Sequence, residues 1–128
     1  MVQLPDLSCW IKVINTSDGK VVATGGWIGL PGRALVRYVV ANDSDKTAGP
    51  LTIWGTLRRN NVQIPNVLPP QQITLQPNQI CKKEFPVAES GGTTTYLAKL
   101  HGDVENAVAE ESETNNLAQR TFDIVISL

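Results

Sequence analysis

The chain has 128 residues, which suits one domain and is too short for two comfortable ones. Its 11 basic and 12 acidic residues give a net charge of −1, which argues against the basic surface of a nucleic-acid-binding protein. With 41% hydrophobic residues the chain can bury a core without disulfides or metals. We therefore expect residues 1–128 to form a single domain, and the three tryptophans among its few aromatic residues raise the question of which way they point.

The start of the chain has neither the basic region nor the apolar region of a signal peptide. No apolar run approaches the roughly 20 residues that are needed to span a bilayer. The sequence therefore predicts no membrane insertion. It leaves open whether the protein is cytoplasmic or the mature part of an exported protein.

Apolar and polar residues alternate with a period of two, which is typical of β-strands with one buried face. The alternation is found in segments 7–14, 35–40, 51–57, 96–101 and 122–128. Glycine, proline and asparagine turns separate these segments and favour a sandwich or a barrel. With a strand at Cys81 and one in the irregular stretch 62–75, the count is about seven, as in an Ig-type domain. We predict an all-β fold, an Ig-like antiparallel β-sandwich with two sheets.

Segment 103–120 is the main exception to this pattern, because four of its residues fall at helical spacing. The run Glu113-Thr114-Asn115-Asn116 would be a poor helix interior, since Asn and Thr side chains compete with the backbone for hydrogen bonds. We interpret the segment as a β-hairpin with an acidic tip.

Three parts of the sequence together resemble the CARDB family, the cell adhesion related domain found in bacteria. The first is Pro5-Asp6-Leu7, and the second is residues 36–42 (VRYVVAN) followed by residues 48–53 (AGPLTI). The third and most specific is residues 103–116 (DVENAVAEESETNN). Their order and spacing extend the resemblance over most of the chain.

The chain departs from the family pattern at Ser44 and Asn78, where the family usually has glycine, and segment 19–32 is longer than expected. Asn tolerates a positive φ, so the change at Asn78 is mild, whereas Ser44 suggests a different turn. The resemblance implies an Ig-like module without catalytic residues in a larger multidomain exported protein. It also implies an extracellular or cell-envelope location and an adhesive or architectural role.

Several residues match the family signature, and we assign them a structural role, because turn Asn, Asp and Glu side chains satisfy loose backbone groups. These residues are Asn42, Asp103, Glu110, Glu113, Asn115 and Asn116.

The acidic segment is also a candidate metal site, because oxygen-rich loops can bind Ca²⁺. The EF-hand pattern fails there, because Val108 and Thr114 stand where that loop needs Gly and Glu. We expect no metal and no other cofactor. An irregular calcium site at Asp103, Glu105 and Glu110 is the minority hypothesis.

The sequence offers little catalytic chemistry. His101 is the single histidine, and alternation places it on the outer face with Leu97 and Lys99, without a nucleophile or an orienting partner. Cys9 and Cys81 both fall on inward positions of strands that flank a third strand in an Ig-type sheet, which favours two thiols over a disulfide. We predict that the protein is not an enzyme.

Trp54 is predicted to face outward, because the apolar residues of segment 51–57 take the inward positions. Neighbouring strands would add Leu97 and Val125 to this face, giving a patch suited to a partner or a sugar. The competing interpretation is that a loop or domain covers the patch, or that a strand slip turns Trp54 inward. Trp27, which lies among the glycines of segment 25–32, is either an exposed binding tip or a plug for the end of the sandwich, the more common fate of large apolar side chains.

The sequence therefore predicts a non-catalytic adhesion or interaction module that binds a protein or glycan partner or acts as a spacer. The alternatives are a carbohydrate-binding accessory module that uses exposed Trp and a small standalone enzyme or inhibitor. No nucleic-acid partner is expected.

Overall fold

The computed structural model describes residues 7–101 and 117–126, which form ten β-strands in two sheets. In chain order the strands are β1 (Leu7–Asn15), β2 (Val21–Val22), β3 (Gly26–Ile28), β4 (Arg33–Asn42), β5 (Ala48–Arg59), β6 (Val62–Gln63), β7 (Leu68–Leu75), β8 (Ile80–Ala88), β9 (Gly92–His101) and β10 (Leu117–Ile126). The all-β sandwich predicted from the alternation is confirmed. Within the described residues, no helix is long and apolar enough to cross a membrane.

The first sheet has four antiparallel strands in the order β2-β1-β4-β8. Cys9 on β1 and Cys81 on β8 both align with Val40, which lies on the strand between them. Two strand spacings separate their Cα atoms by about 10 Å, beyond the roughly 7 Å that a disulfide can bridge. The structure accordingly has no bridge between these two cysteines.

The second sheet has six strands, with the path β3-β10-β9-β5-β6, and β7 also pairs with β5. Strand β3 runs parallel to β10, and the other pairs are antiparallel. β9 and β10 pair antiparallel from His101 and Leu117 onward, so residues 117–120 of the segment predicted as a hairpin belong to β10. The acidic tip of that hairpin lies outside the described residues.

The structure has three more strands than the sequence predicts. β2 and β3 arise within the long segment 19–32, and each is too short for an alternation to be visible. The irregular stretch 62–75 splits into β6 and β7 at Pro65 and Asn66. Proline cannot donate to the ladder, and Asn66 has a φ of +60°, so regular pairing stops there.

The core between the sheets is mainly aliphatic, and its largest side chains are two tyrosines and a phenylalanine. Tyr96 and Phe122 are fully buried, and their rings stack with centroids 4.9 Å apart. Tyr38 is buried on the opposite sheet, and its hydroxyl donates to the carbonyl of Thr56 at 2.9 Å. This hydrogen bond joins β4 to β5 across the sandwich. All three tryptophans lie outside the fully buried set, which leaves them available at or near the surface.

Candidate binding site

Trp54 lies on the outer face of the six-stranded sheet, as the alternation predicts. Its neighbours Ile53 and Gly55 are buried, whereas the indole is half-buried. Trp54 is directly opposite His101 on β9, and the two rings are stacked, with centroids 4.3 Å apart and planes 3° from parallel. This separation is close to the spacing of about 4.8 Å between strands. The two rings therefore stack face to face above the sheet. The other face of the indole, which is turned away from His101, points toward β7.

A β-bulge in β7 opens space beside that indole face. Gly55 pairs with Leu68 and Ile53 pairs with Gln71, so two prolines on β7 lie opposite Trp54 alone. Proline has no backbone N–H and cannot continue the ladder. Two residues facing one define a bulge, a device often found beside functional sites. The paired prolines 69–70 thus move β7 away from regular pairing beside Trp54.

The resulting groove has a volume of about 170 Å³. Trp54 forms one wall and Pro69 and Pro70 form part of another, while Gln63 and Asn66 bring side-chain amides to the site. None of the residues that line the groove is charged. Its chemistry is therefore one aromatic face, an apolar wall and two neutral amides, which suits recognition of an uncharged group.

The surroundings of the histidine beside Trp54 favour its neutral form. Partial burial lowers the pKa of His101, and the nearby positive charge of Lys99 lowers that pKa further. The imidazole packs against one face of the indole and so holds the tryptophan in place.

The second tryptophan that the sequence highlights is exposed. Trp27 on β3 pairs with Asp123 on the outer face of the same sheet, and 68% of its surface is accessible. Its neighbour Ile28 is buried in the core instead. Trp27 is therefore exposed and does not plug the sandwich, and a binding role for it stays a prediction.

The predicted patch of Trp, Leu and Val is dispersed along the outer face. The row of Trp27 lies six residues from the row of Trp54, about 20 Å along the strands and about 14 Å across them. Leu97 pairs with Arg58, and Val125 pairs with Thr93 farther along the sheet. Both side chains are half-buried, and neither lines the groove. Trp54 and Trp27 are therefore separate positions.

Asn42, one of the signature residues, is a buried structural hub with 1% of its surface exposed. Its Nδ2 donates to the carbonyls of Lys46 at 2.5 Å and Leu75 at 3.2 Å. Its Oδ1 accepts from the backbone N–H of Ser44 at 3.1 Å and from the Ser44 hydroxyl at 2.8 Å. These bonds tie the turn between β4 and β5 to the end of β7, which supports the structural role assigned to Asn42.

The other signature and calcium candidates lie outside the described residues; they are Asp103, Glu105, Glu110, Glu113, Asn115 and Asn116. Within residues 7–101 and 117–126, no group of three or more His, Cys, Asp or Glu side chains is placed to hold a metal ion.

The structure also contains a cluster that the sequence does not indicate, the carboxylate of Glu89 beside Arg59 at the C-terminal end of β5. The side chain of Glu89 is 8% exposed and forms an ion pair with Arg59 at 2.5 Å. Tyr96 and Thr94 donate hydroxyl hydrogen bonds to the same carboxylate at 2.6 Å and 3.0 Å. Hydrogen bonding from Arg59 is the main reason why the pKa of Glu89 falls to about 2, although burial opposes the shift. Each oxygen is satisfied, so this cluster is a structural anchor.

Comparisons with known proteins identify the fold. No family model and no curated protein matches the chain. Among solved structures, the crystal structure of the CARDB domain of the PF1109 protein from Pyrococcus furiosus, in complex with di-metal ions, has a TM-score of 0.65. That alignment has 20% sequence identity and covers 99% of each chain. This chain has a CARDB-like fold.

A solution NMR structure of the same PF1109 domain agrees, with a TM-score of 0.62, 21% identity and coverage of 97% of this chain and 98% of that one. The CARDB resemblance drawn from the sequence motifs is thereby confirmed for the fold. Both similar structures come from an archaeon, so they give no support to a specifically bacterial origin for this CARDB-like domain.

Sequence reasoning missed two features beside Trp54, the stacking of His101 on the indole and the bulge at prolines 69–70. Both residue types are visible in the sequence, as is the outward position of Trp54. The missing information is the pairing register, which places all three features of the CARDB-like sheet together.

Proposed function

We propose that this CARDB-like domain is a non-catalytic interaction module that binds a partner through the outer face of its six-stranded sheet. The observation that carries the proposal is the groove beside Trp54, where a half-exposed indole is held against His101. An aromatic side chain that is already fixed loses little conformational freedom on binding. Tryptophan is also among the residues that contribute most binding energy at interfaces.

The histidine and cysteine side chains, which could act in catalysis, are engaged in packing, and this supports a non-catalytic role. The single histidine of the chain is partly buried and stacked on Trp54. Cys9 and Cys81 are partly buried and pack against the core. These residues are thus occupied in packing, whereas a nucleophile or a general base would need access to a substrate.

We further propose that the domain works within a larger exported protein, at the cell surface or in secreted form. The support is the CARDB-like fold together with the sequence motifs that resemble this family. A purely architectural spacer has no need for a bulged strand beside an outward tryptophan, so the groove favours the binding role over the spacer role.

Retention of cell-envelope material on the immobilised domain tests this function. Protein and polysaccharide fractions are passed over the wild type, Trp54→Ala and Trp10→Ala, and the retained protein and sugar are both quantified. Trp10 is the matched control, because it is half-buried on β1, in the other sheet, opposite Val39. Wild type and Trp10→Ala should retain the same component, and Trp54→Ala should retain at least about tenfold less, equivalent to about 1.4 kcal/mol. Equal retention by all three proteins, or none, would refute the proposal, provided that thermal melts show Trp54→Ala to be folded.

A further inference from the structure

We infer that the groove beside Trp54 binds a neutral glycan, with one pyranose ring stacked on the indole face that turns away from His101. This inference rests on the proposed interaction function and names the ligand class for the same site.

The stacking platform is already assembled in the unbound protein. His101 covers one face of the indole, with the ring planes 3° from parallel, and the bulge in β7 leaves space at the other face. The face of an aromatic ring is electron-rich. A pyranose presents a face of weakly positive C–H groups, which complements the indole as a set of weak C–H contacts. The platform therefore matches a flat sugar face.

Two amides supply the polar part of the site. Gln63 lies on β6, and Asn66 lies in the turn before β7 with a φ of +60°. Each amide offers donors and an acceptor, as a sugar hydroxyl does. Among the residues that the structure describes, neither amide side chain hydrogen-bonds to another residue. Both are thus available for the hydroxyls of a ligand in the groove.

The charge and size of the groove indicate the kind of glycan. No lining residue is charged, so an acidic sugar or a phosphate would find no counter-charge within the groove. A volume of about 170 Å³ is below the roughly 300–1,000 Å³ of pockets that enclose drug-sized ligands. The groove therefore holds one ring of a longer neutral chain.

A proline-rich peptide is the main competing occupant, because proline rings also stack on tryptophan. Grooves that recognise such peptides are lined by several aromatic side chains. Trp54 is the one aromatic residue among those that line this groove, and the amides occupy the polar positions instead. The lining thus favours the sugar over the peptide.

The experiment is a screen of neutral oligosaccharides followed by NMR titration of the Trp54 indole N–H in the full chain. The oligosaccharides are linear hexamers of glucose, mannose, xylose and N-acetylglucosamine, with oligogalacturonate as the acidic probe and decaproline as the peptide probe. We expect at least one neutral hexamer to shift the indole signal saturably, and oligogalacturonate to leave it unchanged. Binding measured by calorimetry should fall at least tenfold in Trp54→Ala and stay unchanged in Trp10→Ala.

The variant Gln63→Ala/Asn66→Gly tests the amides without touching the stack, because glycine tolerates the φ of +60° at position 66. It should weaken binding about tenfold, as expected for the loss of two hydrogen bonds. Failure of every neutral hexamer to bind, or binding that survives Trp54→Ala, overturns the glycan assignment. Binding of decaproline that depends on Trp54, with no glycan signal, overturns this inference and leaves the interaction function intact. Loss of the Trp54 dependence in the retention experiment would instead refute the function itself.

Discussion

The hydroxyl of Tyr96 donates a 2.6 Å hydrogen bond to Oε2 of Glu89, and so joins a core aromatic residue to a nearly buried carboxylate. The ring of Tyr96 stacks on Phe122 inside the sandwich, while Glu89 also binds Arg59 at the rim. Burial and the Glu89 carboxylate raise the pKa of Tyr96 to about 12. Glu89 thus connects the rim of the six-stranded sheet to its core.

Acid should destabilise the domain through Glu89. Its pKa is about 2 in the folded state and 4.5 ordinarily, so the folded state binds fewer protons than the unfolded state between these values. The stabilisation is complete above about pH 4.5 and is lost as the pH falls toward 2. We expect Glu89→Gln to lower the free energy of unfolding by about 1–3 kcal/mol at pH 7. Urea denaturation from pH 7 to pH 2.5 should show the difference from wild type shrinking across that window.

Glu84→Gln is the matched control, because Glu84 pairs with Arg37 at 2.7 Å with both side chains about one-third exposed. Exposed pairs contribute little, so this change should cost no more than about 1 kcal/mol. A cost for Glu89→Gln that is the same at pH 2.5 and pH 7 would be incompatible with the proposed linkage.

Replacing Asn42 with alanine should destabilise the fold by about 2–3 kcal/mol, because the carbonyls of Lys46 and Leu75 and the N–H of Ser44 lose a buried partner. Thermal and urea denaturation of Asn42→Ala measure the effect. Asn15→Ala is the control, since Asn15 makes a similar side-chain contact to Ser17 in an exposed turn. Similar costs for the two substitutions would argue against the hub role of Asn42.

The stack of Trp54 on His101 should contribute a coupling energy of about 0.5–1 kcal/mol to stability, the range of cross-strand aromatic pairs. A double-mutant cycle with Trp54→Ala and His101→Ala, followed by urea denaturation, isolates this pairwise term. The same cycle made with Trp10→Ala and His101→Ala should give no coupling, because Trp10 lies on the other sheet. Additive effects of Trp54→Ala and His101→Ala would show that the rings do not stabilise each other.

Cys9 and Cys81 should remain thiols after purification in air, because Val40 lies between them. Intact mass should be the same before and after reduction, and alkylation of the unreduced, unfolded protein should add two labels. A gain of about 2 Da on reduction would reveal a disulfide that this sheet cannot form without rearrangement.

Much of the fold could be predicted, because burial imposes a local pattern. The period-two alternation located five strands and placed Trp54 outward, since neighbouring side chains of a strand point to opposite faces. The positive φ anticipated at Asn78 is observed at +61°. The dispersal of Trp54, Leu97 and Val125 along that face could not be predicted. Alternation assigns a side chain to a face and carries no information on its position along the neighbouring strand.

The sequence by itself determined the long alternating strands and their faces, because both depend on contacts between near neighbours and on hydrophobic burial. Only the tertiary structure decided that His101 stacks on Trp54 beside the prolines 69–70, and that Arg59 meets Glu89. These contacts join residues far apart in the chain through the pairing register of the strands. That register results from the packing of the whole sandwich, and no local pattern in the sequence contains it.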